Sequence, residues 1–173
     1  MGINVKKIIP RIPPLPSIRD IINMYNIKAL RQLSQNFLLD RNLNDKIVKC
    51  CGKINGYEIC EIGPGPGNIS RSLLKKGIEK LILIEKDTRF LPSLQMLKEA
   101  VPTPIEIISG DVLSFDMSNL FNENERKSWD DDYPKIQLIG NLPFNISTPL
   151  IIKWMQAISE QYAYLLNCSY NKI

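Results

Sequence analysis

Glu61-Ile62-Gly63-Pro64-Gly65-Pro66-Gly67 forms a tight glycine loop, which lets a ligand approach backbone where a Cβ would clash. A dinucleotide fingerprint would need glycine at position 68, which is Asn68, and the sequence has no nucleotide-triphosphate P-loop run. Pro64 and Pro66 stiffen the loop and remove amide donors. This suits an amino-acid-bearing ligand better than a pyrophosphate, which wants many N–H groups. A plain turn would use the same glycines. Glu85 follows Gly67 by 18 residues and ends the apolar run Leu81-Ile82-Leu83-Ile84. An acid there can accept from both ribose hydroxyls of an adenosine-containing cofactor, or be a solvated strand end. Asp111, after Gly110, can accept from an exocyclic adenine amine, although glycine–aspartate is also common turn chemistry.

Asn141-Leu142-Pro143-Phe144 carries the most specific chemistry. The lone pair of an exocyclic adenine amine is delocalised into its ring, which makes that nitrogen a poor nucleophile. An asparagine oxygen and a neighbouring backbone carbonyl can accept its two protons and orient the lone pair toward a sulfonium methyl. Pro143 fixes the turn, and Phe144 offers a stacking face for a base withdrawn from its helix. A strand-end turn with a core phenylalanine is the alternative for this tetrapeptide taken alone.

Other chemistries are excluded by composition. The chain has no histidine, so Ser-His-Asp, Cys-His and histidine-ligated zinc deaminase mechanisms are out. Cys50, Cys51, Cys60 and Cys168 form no CxxC pair, so no metal site is expected and buried free thiols are the default. No apolar run approaches the ~20 residues needed to cross a bilayer, so membrane insertion is not expected. The net charge of +4 is uneven: residues 1–35 hold six basic residues against Asp20 alone. The remainder is near neutral, with 16 basic and 17 acidic residues. Such a leader suits a mitochondrial targeting segment, a nucleic-acid-contacting arm or a solvated terminus. Pro10, Pro13, Pro14 and Pro16 argue against one long presequence helix.

The elements that must position these residues follow from periodicity. Ser17 and Asp20 have capping-box spacing ahead of Ile18, Ile21, Ile22 and Tyr25, which predicts a helix from Ser17. Leu33–Leu38 reads as a loop, and Asp40 caps a helix presenting Leu43, Ile47 and Cys51. Strands are expected over Tyr57–Ile62, Leu81–Ile84, Ile105–Ile108 and Ile136–Ile139. Helices are expected around Ile69–Leu74, from Pro92 through Leu97, and from Thr148-Pro149 with Leu150, Ile151, Trp154 and Ile158 as its buried stripe. Residues 116–134 read as a polar, acidic loop. This alternation predicts an α/β domain with a mostly parallel sheet, and ligands bind beyond the carboxyl ends of such strands.

In order and spacing, Gln35-Asn36-Phe37-Leu38, the glycine motif from Glu61, Glu85, Gly110-Asp111 and Asn141–Phe144 resemble the ribosomal RNA adenine dimethyltransferases. The strings Leu33–Asp40, Glu85–Phe90 and Asn141–Trp154, with the acidic loop around Trp129-Asp130-Asp131, are most similar to the family's mitochondrial members. The resemblance covers roughly residues 12–159. It implies a Rossmann-like fold that depends on S-adenosylmethionine. Gln35, Asn36 and Leu38 would close over the cofactor, whose methionine part would lie along the Glu61 motif at Gly63 and Gly65. Glu85 and Lys86 would flank its ribose and adenine, and Asp111 and Val112 would hold the adenine edge. Asn141 and Leu142 would present the target amine, Asn141 also bordering the cofactor, with Phe144 stacked on the target base. The implied reaction places four methyl groups on two adjacent adenines of a small-subunit ribosomal RNA hairpin, in the mitochondrial matrix.

Three segments are therefore expected: a basic leader and helix over 1–35, a cofactor-binding core over 36–159, and a tail over 160–173. The tail does not match the family's fifth strand, closing hairpin and helical RNA-binding domain. A truncated or alternatively spliced product is expected, binding cofactor with little turnover. The rival from another class is a catalytically silent nucleic-acid-binding or mitochondrial transcription-accessory module that retains the cofactor pocket. A nicotinamide dehydrogenase is disfavoured by Asn68 and the missing histidine.

Overall fold

In the computed structural model, residues 13–27, 40–117, 120–121 and 134–159 are described. Strands β1 (Glu58–Ile62), β2 (Lys80–Glu85), β3 (Ile105–Ser109) and β4 (Ile136–Gly140) form one parallel sheet in the order β3-β2-β1-β4. Ile62 pairs with Ile84 and with Gly140, and Glu85 pairs with Ser109, so the four carboxyl ends share one rim.

Both faces of this sheet are covered. Leu81 and Leu83 of β2 point into one apolar layer with Ile59, Leu73, Leu94 and Leu97. Ile82 and Ile84 point into the other with Cys60, Ile62, Leu138 and Leu150. Alternate side chains face opposite ways along a strand, so a strand covered twice needs an unbroken apolar run. β2 carries one. Helices α2 (Arg41–Cys50), α3 (Asn68–Leu74) and α4 (Leu91–Ala100) contribute Val48, Leu73, Leu94 and Leu97 to the first layer. Helix α5 (Phe144–Ser159) contributes Leu150 to the second.

The capping box closes as its spacing predicts: helix α1 (Ile18–Met24) begins after Ser17, whose hydroxyl accepts from the Asp20 amide. Arg71 of α3 ties this leader to the core by donating from Nη1 to the Pro16 carbonyl at 2.8 Å.

Three expectations are corrected. Asp40 caps α2, but the helix buries Asn44 and Val48 while Leu43 is 40% exposed. The inward face is shifted by one residue, and the buried Asn44 donates from Nδ2 to the Asp40 carbonyl at 2.9 Å. A buried side chain whose NH2 group bonds within its own helix is invisible to apolar periodicity. Helix α5 begins at Phe144, four residues ahead of the expected Thr148. Its first turn winds on Pro143, whose carbonyl accepts from the Ile146 and Ser147 amides at 3.0 and 2.9 Å. Pro149 thus lies inside the helix, on an exposed position. Finally, the segment expected to be a polar loop from residue 116 buries Met117, Leu120 and Phe121 against the second face of the sheet.

Candidate active site

Chain order makes the rim uneven. The path runs from β1 outward through β2 to β3, then returns to place β4 on the other side of β1. The loops leaving β1 and β4 diverge there, and this switch point is where open parallel sheets hold ligands. The glycine loop leaves β1 and Asn141–Phe144 leaves β4.

Leu142 joins the two. Gly63 has φ +64, a conformation L side chains rarely adopt, and a Cβ built on it would lie 3.4 Å from Leu142 Cδ2. A Cβ on Gly140 would lie 3.0 Å from the Ile62 carbonyl oxygen and 3.2 Å from Leu142 Cγ. The contact at Gly140 is with backbone, which cannot swing aside. We expect Gly140→Ala to destabilise the fold by about 1–3 kcal/mol and to displace Leu142, measured by urea unfolding. Unchanged stability would show that β1 and β4 part easily here.

The acids at the rim differ in environment. Glu85 is buried, and its carboxylate accepts from the Gly65 amide at 2.8 Å and the Asp87 amide at 2.7 Å. Burial raises its pKa, opposed by these amide donors. The end of β2 is thereby tied to the glycine loop 20 residues earlier. A Cβ on Gly65 would meet nothing within 4 Å, so space is open at that point of the loop.

Glu61, which the resemblance puts at the cofactor, is the penultimate residue of β1. It is 1% exposed and accepts from the Ser70 hydroxyl of α3 at 2.6 Å. Burial pushes its pKa to about 8; the Ser70 bond opposes this and the nearby Glu85 charge adds to it. Its place is under the loop, holding β1 to α3. A strand residue preceding a glycine turn faces alternately into the core and toward the rim, and motif spacing alone does not tell which.

Lys86 and Asp111 form an exposed ion pair at 2.8 Å, across the ends of β2 and β3. The other Asp111 oxygen accepts from the Leu113 amide at 3.0 Å. These two partners hold the Asp111 carboxyl below its ordinary value, the Lys86 bond most of all. Val112 is buried beside them. Asn141 is exposed, Leu142 half-buried, and Phe144 is 89% exposed. A core phenylalanine would be covered, so this ring is not part of the core. Gln35, Asn36 and Leu38 lie outside the described residues. Among the described residues no group of three His, Cys, Asp or Glu could hold a metal, and no helix is long and apolar enough to cross a membrane.

Two contributors escaped the sequence reading. Ser70, on the inward face of α3, carries no signal beyond a small polar residue next to Ile69. Lys153 does carry one: it is the lone charge in the apolar run Leu150–Met155.

A parallel sheet of this order, with a glycine loop after β1 and an acid closing β2, defines a Rossmann-like fold of the S-adenosylmethionine-dependent methyltransferase class. Comparison with known proteins narrows the class. The chain belongs to the ribosomal RNA adenine dimethylase family, whose profile matches residues 26–169. It is 51% identical over 151 residues to mitochondrial dimethyladenosine transferase 1 of Xenopus tropicalis, covering 87% of this chain and 44% of that protein. It is 52% identical over 149 residues to the human protein of that name, covering 86% and 43%. The chain thus spans less than half the length of these curated relatives. Among solved structures, a dimethyladenosine transferase from Plasmodium falciparum superposes with a TM-score of 0.50 at 28% identity, over 68% of this chain and 37% of that one. The 23S ribosomal RNA methyltransferase ErmE shares the fold, with a TM-score of 0.52 at 22% identity, over 70% and 43%.

Proposed function

We propose that this chain forms the cofactor-binding part of an enzyme that methylates N6 of two adjacent adenines in a small-subunit ribosomal RNA hairpin. Its methyl donor is S-adenosylmethionine and its place is the mitochondrial matrix. The observation that carries the reading is the exposed Phe144 ring beside Asn141, with Leu142 packed against Gly63 of the glycine loop.

The rim fits the donor. The open backbone at Gly65 admits an amino-acid chain, Glu85 offers a desolvated acceptor for ribose hydroxyls, and Asp111 with Val112 borders the adenine. S-adenosylmethionine supplies an electrophilic methyl group when bound. The protein's own part is to hold and orient the acceptor. Phe144 stacks on the unpaired adenine, and stacking of ~1–3 kcal/mol offsets the cost of taking it out of its helix. The Asn141 side-chain oxygen and a backbone carbonyl of this turn accept the two amine protons and turn the nitrogen lone pair toward the donor. No histidine is needed, and the chain has none. The mitochondrial setting is supported by the names of the relatives and by the acid-poor basic leader.

Glu85→Ala is expected to weaken S-adenosylmethionine binding by ~1–3 kcal/mol, since a charged acceptor for the ribose is lost. Calorimetry giving wild-type affinity would remove Glu85 from the site. The reaction itself is tested by incubating the protein, in a form as long as its relatives, with labelled S-adenosylmethionine and the small-subunit hairpin. Nucleoside analysis should show N6,N6-dimethyladenosine at the two adjacent positions. An RNA bound but left unmethylated would overturn the proposal in favour of a silent binding module.

A further inference from the structure

Lys153 lies nine residues after Phe144 on α5, some two and a half turns along the helix. Its ammonium donates to three backbone carbonyls of the segment that leaves β3: Val112 at 3.3 Å, Leu113 at 2.9 Å and Phe115 at 2.6 Å. A lysine ammonium has three N–H donors, and this geometry occupies all of them. The same segment begins with Asp111, whose carboxylate is fixed by Lys86 and by the Leu113 amide. Residues 111–115 are therefore pinned from two sides, by Lys86 at the end of β2 and by Lys153 from α5. A surface lysine normally stays hydrated and mobile, because ordering its long side chain costs up to ~2 kcal/mol of rotamer freedom. Here that freedom is given up to organise the rim segment that begins with Asp111.

We propose that Lys153 is a positioning residue for adenine specificity. It sets the Asp111–Val112 edge that distinguishes the exocyclic amine of the cofactor from other purine substituents, and it yokes that edge to the helix carrying Phe144. The inference rests on reading the rim as the S-adenosylmethionine site.

The test is calorimetric binding to the 173-residue chain of S-adenosylhomocysteine and of S-inosylhomocysteine, in which oxygen replaces the amine. The wild-type chain should prefer the adenine compound by at least ~10-fold, as expected for loss of one hydrogen bond to a charged group. Lys153→Met should cut that preference to within ~3-fold, mainly by weakening the adenine compound, and Lys153→Arg should restore part of it. A role in stability alone would lower the melting temperature and weaken both ligands equally. An unchanged preference in folded Lys153→Met, or equal weakening of both ligands, would overturn the inference. Should Lys153→Met fail to fold, Lys153→Gln, which keeps a single amide group as donor, is judged by the same preference. A wild-type chain that binds neither ligand would overturn the site assignment itself and this inference with it.

Discussion

Replacing Asn141 with alanine should lower methyl transfer by at least ~100-fold while S-adenosylmethionine affinity stays within ~10-fold. The asymmetry follows from where the side chain acts. Asn141 is exposed just beyond β4, while the buried Glu85 accepts from the Gly65 amide of the glycine loop. An acceptor aimed at the amine protons gains most where the nitrogen begins to bond, so its loss appears in kcat before it appears in donor binding. Phe144→Ala should act differently. It removes stacking on the base and should raise KM for RNA by roughly 5- to 150-fold, leaving donor binding untouched. Retained turnover in Asn141→Ala, in steady-state assays of a catalytically active form, would show that another group orients the amine.

Glu61→Gln should make the protein more stable above neutral pH, by roughly 1–4 kcal/mol at pH 8. Glu61 is buried and its pKa is raised from an ordinary 4.5 to about 8, chiefly by burial. Below the ordinary value both folded and unfolded chains keep the proton, and no penalty exists. As pH rises from about 4.5 toward 8 the unfolded chain releases the proton while the folded chain holds it, so folding loses stability steadily. Above the folded value the penalty is complete. Glutamine keeps the shape and an acceptor for the Ser70 hydroxyl, and it has no charge to bury. Urea unfolding of both proteins at pH 5.5 and pH 8 checks this. The wild type should lose stability across that interval, and Glu61→Gln should lose much less. The buried Glu85, also raised, leaves some slope in the variant. Equal slopes would mean that Glu61 carries its charge in the folded protein near neutrality.

The sheet was legible because its strands β1, β2 and β4 are buried along nearly their whole length. Leu81–Ile84 has no polar residue to confuse its reading, and turn glycines bound β1 and β2 clearly. The capping residues Ser17 and Asp40 were readable for the same local reason: a cap is a matter of one side chain and the next three amides. What failed was anything decided at a distance. Asn44 takes the buried place expected of Leu43 on α2, with its amide on the Asp40 carbonyl. Proline marks helix starts, so Thr148-Pro149 reads as the start of α5, yet the turn at Pro143 winds the chain four residues earlier. In the site, residue types were legible and orientations were not. Glu61 and Glu85 look alike in sequence, one under the loop against Ser70 and the other bonded to the Gly65 amide. Phe144 could have been core or platform, and its exposure removes the core reading. Lys153 was passed over because a single cation in an apolar helix says nothing about which carbonyls it will find.

The central claim is that the rim at the carboxyl ends of the strands is an S-adenosylmethionine site, and the most direct measurement of it is a calorimetric titration of the 173-residue chain. With S-adenosylmethionine or S-adenosylhomocysteine, the account predicts saturable one-to-one binding that weakens by ~1–3 kcal/mol in Glu85→Ala. With NAD it predicts no heat beyond dilution, because Asn68 interrupts the dinucleotide fingerprint and two prolines remove amide donors from the loop. NAD binding in place of the sulfonium ligand, or S-adenosylmethionine binding indifferent to Glu85, would contradict it.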